Sequence, residues 1–405
     1  MLPKPTALTY TQKVRGFQQA HVEYFQEKAV YELKRTEQRC PKCGAKDVFA
    51  ELLGERMIRG VPMGVCREVY LRHAVHRIYC HRCHERSMEH LPFLSHPKAR
   101  LTKSFERTIL ELRQHMSIRA VSNYFRLRWH TVKELEKRQL KKKFSKISAS
   151  QVKMIGIDEI YVSRTAAQKF ITVIRDLESG AVLYVGDGKG IAALDGALKM
   201  LKKSKLKAVA MDMSNAYSSW FQTHFPEVKI VFDHFHVIKS MNEKLDAVRR
   251  RVTARLDDTQ RGQFKGLRFI FLQNQEDLCE DAKSILKNIR DQFRELFDAY
   301  MFKETLRSIY RTAQDSWHAD VAFHRWCRLA EETEIPELRT MARTIRNNLE
   351  GIKTYWTFHH LTNASTEGFN NKIRWLIRQA YGFRDREYLK LKIFQLPVIS
   401  CVKEV

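Results

Sequence analysis

Lys153-Met-Ile-Gly-Ile-Asp158-Glu-Ile-Tyr-Val162 opens the segment whose reading decides the fold. It is a short, β-branched run of the kind that forms a buried strand, and it carries a charge, Asp158, at its end. Downstream, residues 171–176 (ITVIRD) and 181–186 (AVLYVG) flank a turn-like Glu178-Ser179-Gly180. A helical stretch at 191–204 is followed by a strand at 208–212 (AVAMD), a helix at 215–225 and a strand at 228–233 (VKIVFD). The order is three strands, helix, strand, helix, strand. Such alternation predicts a mixed α/β layer with its site at the carboxyl ends of the strands. Asp212 ends the fourth strand as Asp158 ends the first. An unpaired carboxylate at the edge of a core is costly, and a metal ion is one way to offset it.

The composition narrows the partner. The 405 residues contain 72 Lys and Arg against 46 Asp and Glu, a formal charge of +26. Such an excess suits a polyphosphate, because cationic side chains release the counterions condensed on nucleic acid; a generically basic, ribosome-like protein is the alternative. The chain has room for roughly two to four domains. No run of apolar residues is long enough for a membrane span. The N-terminal MLPKPTALTYTQKVRGF lacks the apolar core of a signal peptide. Eight cysteines without an export signal do not suggest a disulfide scaffold, and the cytoplasm is the expected compartment.

Ahead of the α/β segment, residues 1–39 read as a polar, mostly helical lead, and residues 40–95 as a zinc-binding domain. Cys40-Pro-Lys-Cys43 and Cys80-His-Arg-Cys83 are two CxxC pairs. Each places two thiolates on one side of a tight turn, and two such turns complete a tetrahedral zinc site. Gly44 suits the backbone of such a knuckle. The sequences REVYLRH and HRIYC read as strands between the pairs. A redox pair or buried thiols are the alternatives. Cys66, Cys279, Cys327 and Cys401 are left over and read as small apolar residues. His81 and His84 are either groups supporting the metal or exposed.

Residues 96–147 read as a helix-turn-helix domain ending in Lys141-Lys142-Lys143 and a linker. Three helices are expected, with Ser117 capping the second and His130 or Thr131 near the start of the third. A helix of this kind enters the major groove. Arg119, Arg126, Arg128, His130, Thr131, Lys133 and Lys137 are the candidate DNA contacts; a plain three-helix linker is the alternative.

The catalytic segment reads as two pieces, 148–256 and 351–405, separated by an all-α insertion at 257–350. Asp212 and Glu367 lie 155 positions apart, too far for a simple loop. Between them Arg249, Arg250, Arg251 and Arg255 form a basic stripe suited to DNA. Trp317 and Trp326 could stack on an extruded base, but core packing is the commoner role of such residues. On the helix that follows, Glu367, Asn371, Arg374 and Arg378 share a polar face, with Phe369, Ile373 and Leu376 on the apolar one. Glu159 and Asp233 are rivals for the ligand positions.

Three carboxylates with waters suffice for two Mg²⁺ (or Mn²⁺) ions, the arrangement that promotes in-line phosphoryl displacement. The phrases GIDEIY, AVAMDMSNAY, IVFDHFHVIK and STEGFNNKIR are similar to bacterial insertion-sequence transposases of the ISL-three family, and the triad resembles their DDE signature. The resemblance covers roughly residues 38–395. It implies an RNase H-like mixed-sheet core with a large all-α insertion, preceded by a zinc element and a helix-turn-helix. It implies Asp158, Asp212 and Glu367 as the ligands of two Mg²⁺ ions, with Asp233 and His236 in support; Asn371, on the polar face with Glu367, is a further supporting candidate. It further implies double-stranded DNA (terminal inverted repeats and target) as partner, and because two ends must be paired a homodimer or higher oligomer on that DNA is expected. The rival readings are a zinc/helix-turn-helix regulator with an inert catalytic domain and a structure-specific nuclease of the same fold.

Overall fold

The computed structural model describes residues 7–163, 168–258, 261, 264, 266–358 and 363–401. The chain divides into two compact units, Met1–Lys143 and Phe144–Val405. The break falls where the linker is expected, although the three lysines themselves still belong to a helix.

The first unit begins with α1 (Ala7–Gln12) and a five-stranded sheet. Its strands are β1 (Phe17–Phe25), β2 (Lys28–Arg35), β3 (Val48–Gly60), β4 (Glu68–Cys80) and β5 (Arg86–Met88), in the order β1-β2-β4-β3 with β5 on β4. This corrects the mostly helical reading of residues 1–39, in which Phe17–Arg35 form an antiparallel hairpin turning at Gln26 (φ 48°) and Glu27. β1 is an edge strand with mostly exposed side chains, so it shows none of the apolar alternation that marks a half-buried strand. The two strands expected at REVYLRH and HRIYC are a single long strand, β4.

A buried polar cluster ties β2 and β4 to the segment after β5. His73 contacts the Leu33 carbonyl and Glu89 Oε2, both at 3.1 Å, and Arg35 pairs with Glu89 Oε1. Burial alone would raise the Glu89 carboxyl, but His73 and Arg35 overcome it and hold the group down at about 2.

The unit ends in α2 (Lys103–Leu112), α3 (Ile118–Phe125) and α4 (Trp129–Lys143) around Phe105, Ile109, Val121, Phe125, Val132 and Leu135. Ser117 caps α3 as expected, accepting from the Ala120 N–H at 3.1 Å. Arg126 (φ 53°) closes α3 in the left-handed conformation and starts the turn into α4.

The second unit is built on β6 (Met154–Tyr161), β7 (Phe170–Asp176), β8 (Val182–Asp187), β9 (Ala208–Met211) and β10 (Lys229–Phe232). The sheet order is β10-β9-β6-β7-β8, antiparallel from β6 to β8 and parallel from β6 to β10. The expected order of strands and helices holds. The segment at 191–204 is broken, however, into 3₁₀ turns at Ile191–Ala193 and Asp195–Ala197 and a short α5 (Leu198–Leu201). Gly196 lies there because a Cβ would meet the Tyr184 hydroxyl at 2.3 Å. α6 (Asn215–His224) connects β9 to β10.

The helices that follow are α7 (His234–Ala254), α8 (Leu267–Leu272), α9 (Glu280–Gln292), α10 (Arg294–Thr312), α11 (Ser316–Glu332) and α12 (Pro336–Thr357). They share one core with the sheet: Met211, Val231 and Phe232 cluster with residues of α7, α10, α11 and α12. Gly351 on α12 lets the Phe232 ring in, where a Cβ would lie 2.5 Å away. Among the described residues the insertion therefore shares its hydrophobic core with the sheet. Trp326, Tyr355 and Trp356 are buried in this core, whereas Trp317 is exposed. α13 (Ala364–Gln379) and α14 (Arg386–Cys401) return to the sheet and pack Phe369, Ile373, Leu389 and Ile393 on Ile160, Ile171, Val173 and Val185. No described helix is long and apolar enough to cross a membrane.

Candidate functional site

Register places the first acidic residues. β6 and β9 pair in parallel with Gly156 opposite Ala210, and β9 and β10 with Met211 opposite Phe232. Continuing each pairing past its last residue brings Asp158, Asp212 and Asp233 level; Asp212 and Asp233 lie just past the carboxyl ends of β9 and β10, whereas Asp158, expected at a strand end, lies inside β6, which stays paired with β7 as far as Tyr161. Asp158 and Asp212 line one cleft of about 410 Å³, together with Glu159, Lys189, Gly190, Ser214 and Tyr217.

Alternation along β6 then separates neighbouring side chains. Gly156, Asp158 and Ile160 face α13, whose Asn363, Thr366, Asn370 and Ile373 recur at helical spacing as the facing stripe. Gly156 makes that approach possible, because a Cβ there would lie 2.4 Å from Asn363 Oδ1 and 2.8 Å from Thr366 Oγ1. The Asn363 amide donates to the Ile157 carbonyl at 3.1 Å, and the Asn370 amide donates to Asp158 Oδ2. Asp158 Oδ1 accepts from the Glu159 N–H at 2.7 Å. Burial raises the Asp158 pKa, and the nearby Asp212 raises it further.

Asp233 is buried and caps α7, accepting from the Phe235 N–H at 3.1 Å, while its other oxygen takes the Asn363 N–H at 3.0 Å. It ties the start of α7 to the start of α13. Burial would raise its pKa, but the contact with His234 and the capping N–H lower it on balance. His236, one turn into α7, places Nε2 2.6 Å from Asp212 Oδ1. Burial opposes its charge, yet Asp212 raises its pKa overall.

Glu367 lies in the first turn of α13, exposed, one turn before Asn370. Asn371 is exposed and accepts from Arg374 at 2.8 Å, so the asparagine that reaches the carboxylates is its buried neighbour Asn370. A helical wheel from sequence put Asn371 beside Glu367; the docking of α13 on β6, which no wheel contains, selects Asn370. Glu159 points the other way across β6, accepting from the Tyr217 hydroxyl at 2.5 Å.

The sequence has counterparts among known proteins. A family model described as "Transposase" matches residues 155–393, which include all of these residues, and one for the helix-turn-helix domain of transposase family ISL3 matches residues 89–139. The chain is 30% identical over 360 residues to the transposase for insertion sequence element IS1001 of Bordetella parapertussis, covering 87% of each protein. It is 27% identical to that for IS1557 of Mycobacterium tuberculosis, covering 87% of this chain and 84% of the relative. The chain belongs to the ISL3 family of insertion-sequence transposases.

A second site in this ISL3 member is the cysteine cluster. Cys40, Cys43, Cys80 and Cys83 bring their four sulfurs within 4.8 Å of one another, with Cys40–Cys83 at 3.7 Å and Cys43–Cys80 at 3.5 Å. Each CxxC is followed by a residue in the left-handed region, Gly44 (φ 76°) and His84 (φ 55°), and the Gly44 N–H returns to the Cys40 carbonyl at 3.0 Å. Backbone N–H groups of Cys43 and Lys42 favour the Cys40 thiolate and pull its pKa down to about 6. His81 and His84 are exposed. Among the leftover cysteines Cys66 and Cys327 are buried as expected, whereas Cys279 is exposed at the start of α9, and the Cys401 side chain lies outside the described residues.

The helix-turn-helix of this family member presents Arg119, Arg128, His130 and Thr131 to solvent, while Lys133 and Lys137 are partly covered. Arg126 pairs with Glu27 at 2.5 Å, which ties the turn to the β1–β2 hairpin. In the second unit Arg249 pairs with Asp246 at 2.7 Å, and Arg251 bridges to Glu337 at 2.8 Å. Those two arginines therefore brace helices. Arg250, Arg255, Arg374 and Arg378 are exposed.

Proposed function

We propose that this protein is the DNA transposase of an insertion sequence, binding terminal inverted repeats through its first unit and cutting and joining DNA at the carboxylate cleft. The observation that carries the reading is the placing of Asp158 and Asp212 at one register of adjacent parallel strands in one cleft, with the helix that bears Glu367 docked on β6. The sheet order, three antiparallel strands continued by two parallel ones, supports an RNase H-like core.

Carboxylate oxygens are hard donors that suit Mg²⁺ or Mn²⁺, and Asp158, Asp212 and Glu367 are the residues that would hold two such ions. When bound, these ions activate the attacking oxygen and stabilise the leaving oxygen of an in-line displacement at phosphorus. The protein's own part is orientation. Asn370 fixes one oxygen of Asp158, and His236 holds Asp212. Asp233 and Asn363 lock α7, α13 and β6 in register. Water and a DNA 3′-hydroxyl are interchangeable nucleophiles in such a cleft, so one site serves cleavage and strand transfer.

Four thiol ligands at closed spacing match a structural zinc site, and Cys40, Cys43, Cys80 and Cys83 would hold one Zn²⁺. Two transposon ends must be brought together, so the active species is a dimer or larger assembly on DNA.

The test is cleavage of a labelled terminal-repeat duplex in Mg²⁺, with strand transfer into a target plasmid. Cutting that EDTA abolishes, and joined products, are expected. Binding without cutting would indicate a regulator, and cutting without joined products a nuclease.

A further inference from the structure

Lys189 lines the cleft beside the two aspartates and makes no ion pair with an acid among the described residues. It stands between Gly188 (φ 86°) and Gly190 (φ 84°), conformations that favour glycine. Both flanking peptides are pinned. The Gly188 N–H donates to the Phe170 carbonyl at 2.9 Å, and the Gly188 carbonyl accepts from Thr172 Oγ1 at 3.0 Å. The Gly190 N–H is shared by the Tyr217 hydroxyl at 3.1 Å and Glu159 Oε1 at 3.3 Å. Tyr217 donates to Glu159 and also meets Thr172 Oγ1 at 3.2 Å.

Thr172 and Tyr217 are buried. A buried polar network is costly unless it is fully satisfied, and satisfied it fixes one geometry. Here three elements, β6, β7 and α6, spend their buried polar groups on the two peptides that flank one exposed lysine. The Lys189 ammonium sits over the Phe170 ring, 5.2 Å from its centroid, at the rim of the cleft, and a cation that no carboxylate neutralises is a point charge available to a phosphate.

We infer that the Gly188-Lys189-Gly190 loop binds the backbone of the DNA strand to be cut, with Lys189 on a phosphate next to the scissile one and Glu159, Tyr217 and Thr172 as positioning residues for the loop. This rests on the transposase reading above. It also gives Glu159 a role on the opposite face of β6 from Asp158.

The test pairs Lys189→Gln with terminal-repeat duplexes carrying one neutral methylphosphonate at a time on either side of the cut. Lys189→Gln should slow cleavage about 10- to 100-fold, the scale of a lost positioning contact, with gel-shift affinity for the same duplex within about twofold because the helix-turn-helix dominates binding. At one position the methylphosphonate should slow the unmodified protein by a similar factor and Lys189→Gln no further. Tyr217→Phe should show a partial loss confined to that position. Losses that multiply at every position, or a Lys189→Gln protein that cuts normally, overturn the inference while leaving the transposase reading intact. An unmodified protein that does not cut any duplex overturns both.

Discussion

The cysteine cluster and the carboxylate cleft are built on opposite plans. The four sulfurs lie within 4.8 Å of one another, donated by two tight turns, as a closed site for one soft-ligand metal requires. The cleft is open: among the described residues its carboxylates form no such tight group, and each is held by an organic partner, Asp158 by Asn370 and Asp212 by His236. Each half of the cysteine cluster is a local turn, and the pairing of β3 with β4, Val48 opposite Cys80, brings the two turns together. The open site is assembled by strand register and helix docking, which leaves room for ions, a nucleophile and a DNA strand.

The largest effects should come from the open site. Asp158→Asn, Asp212→Asn and Glu367→Gln each remove a negative ligand while keeping shape. Each should lower cleavage and strand transfer by about a thousandfold or more with end-binding nearly unchanged. If Glu367→Gln cuts normally while Glu159→Gln is inactive, the ligand assignment is wrong.

The closed site should fail in the opposite way. Cys80→Ser should lose about one zinc per chain and most end-binding, with cleft geometry preserved. Metal analysis of freshly purified protein that finds no zinc would break the comparison at its root.

Smaller and more diagnostic is Asn370. Asn370→Ala should cost about tenfold in cleavage and raise the Mg²⁺ concentration needed for half-maximal rate, because Asp158 loses its orienting amide. Asn370→Asp should be worse, since it adds a negative charge beside a carboxylate whose pKa burial and Asp212 already raise. Equal Mg²⁺ requirements in all three proteins would reduce Asn370 to a packing residue.

The last effect lies in the first unit and concerns stability in acid rather than activity. Glu89 is held near 2 against an ordinary 4.5, so its contribution to stability is complete above about 4.5 and disappears as pH falls toward about 2. The shift corresponds to about 3 kcal/mol. Hydrogen exchange of β4 in the full chain should accelerate over that window, and Glu89→Gln should flatten the pH dependence. An unchanged profile would show that another group governs acid unfolding.

Much of the molecule was legible in the sequence. The strand order of the second unit follows from apolar runs and their turns, the cysteine site from two CxxC pairs, and the cap of α3 from Ser117. Each is a short-range signal. β1 escaped because an edge strand with exposed faces needs no apolar period. Asn370 escaped because one asparagine looks like the next until α13 is set on β6. Arg249, Arg251 and Arg126 read as DNA contacts, yet each has an acid within reach: Asp246 one turn away, Glu337 on α12 and Glu27 at the tip of the β1–β2 turn.

The sequence by itself determined the two CxxC pairs and the order of strands and helices in the second unit, because thiol spacing and short apolar runs are properties of a few consecutive residues. Only the tertiary structure decided which carboxylates meet. Asp158 and Asp212 are level because β6 and β9 pair in parallel at one register, and α13 joins them because Gly156 has no side chain to keep it away. Those are contacts between segments far apart in the chain, and no local pattern encodes a distance between them.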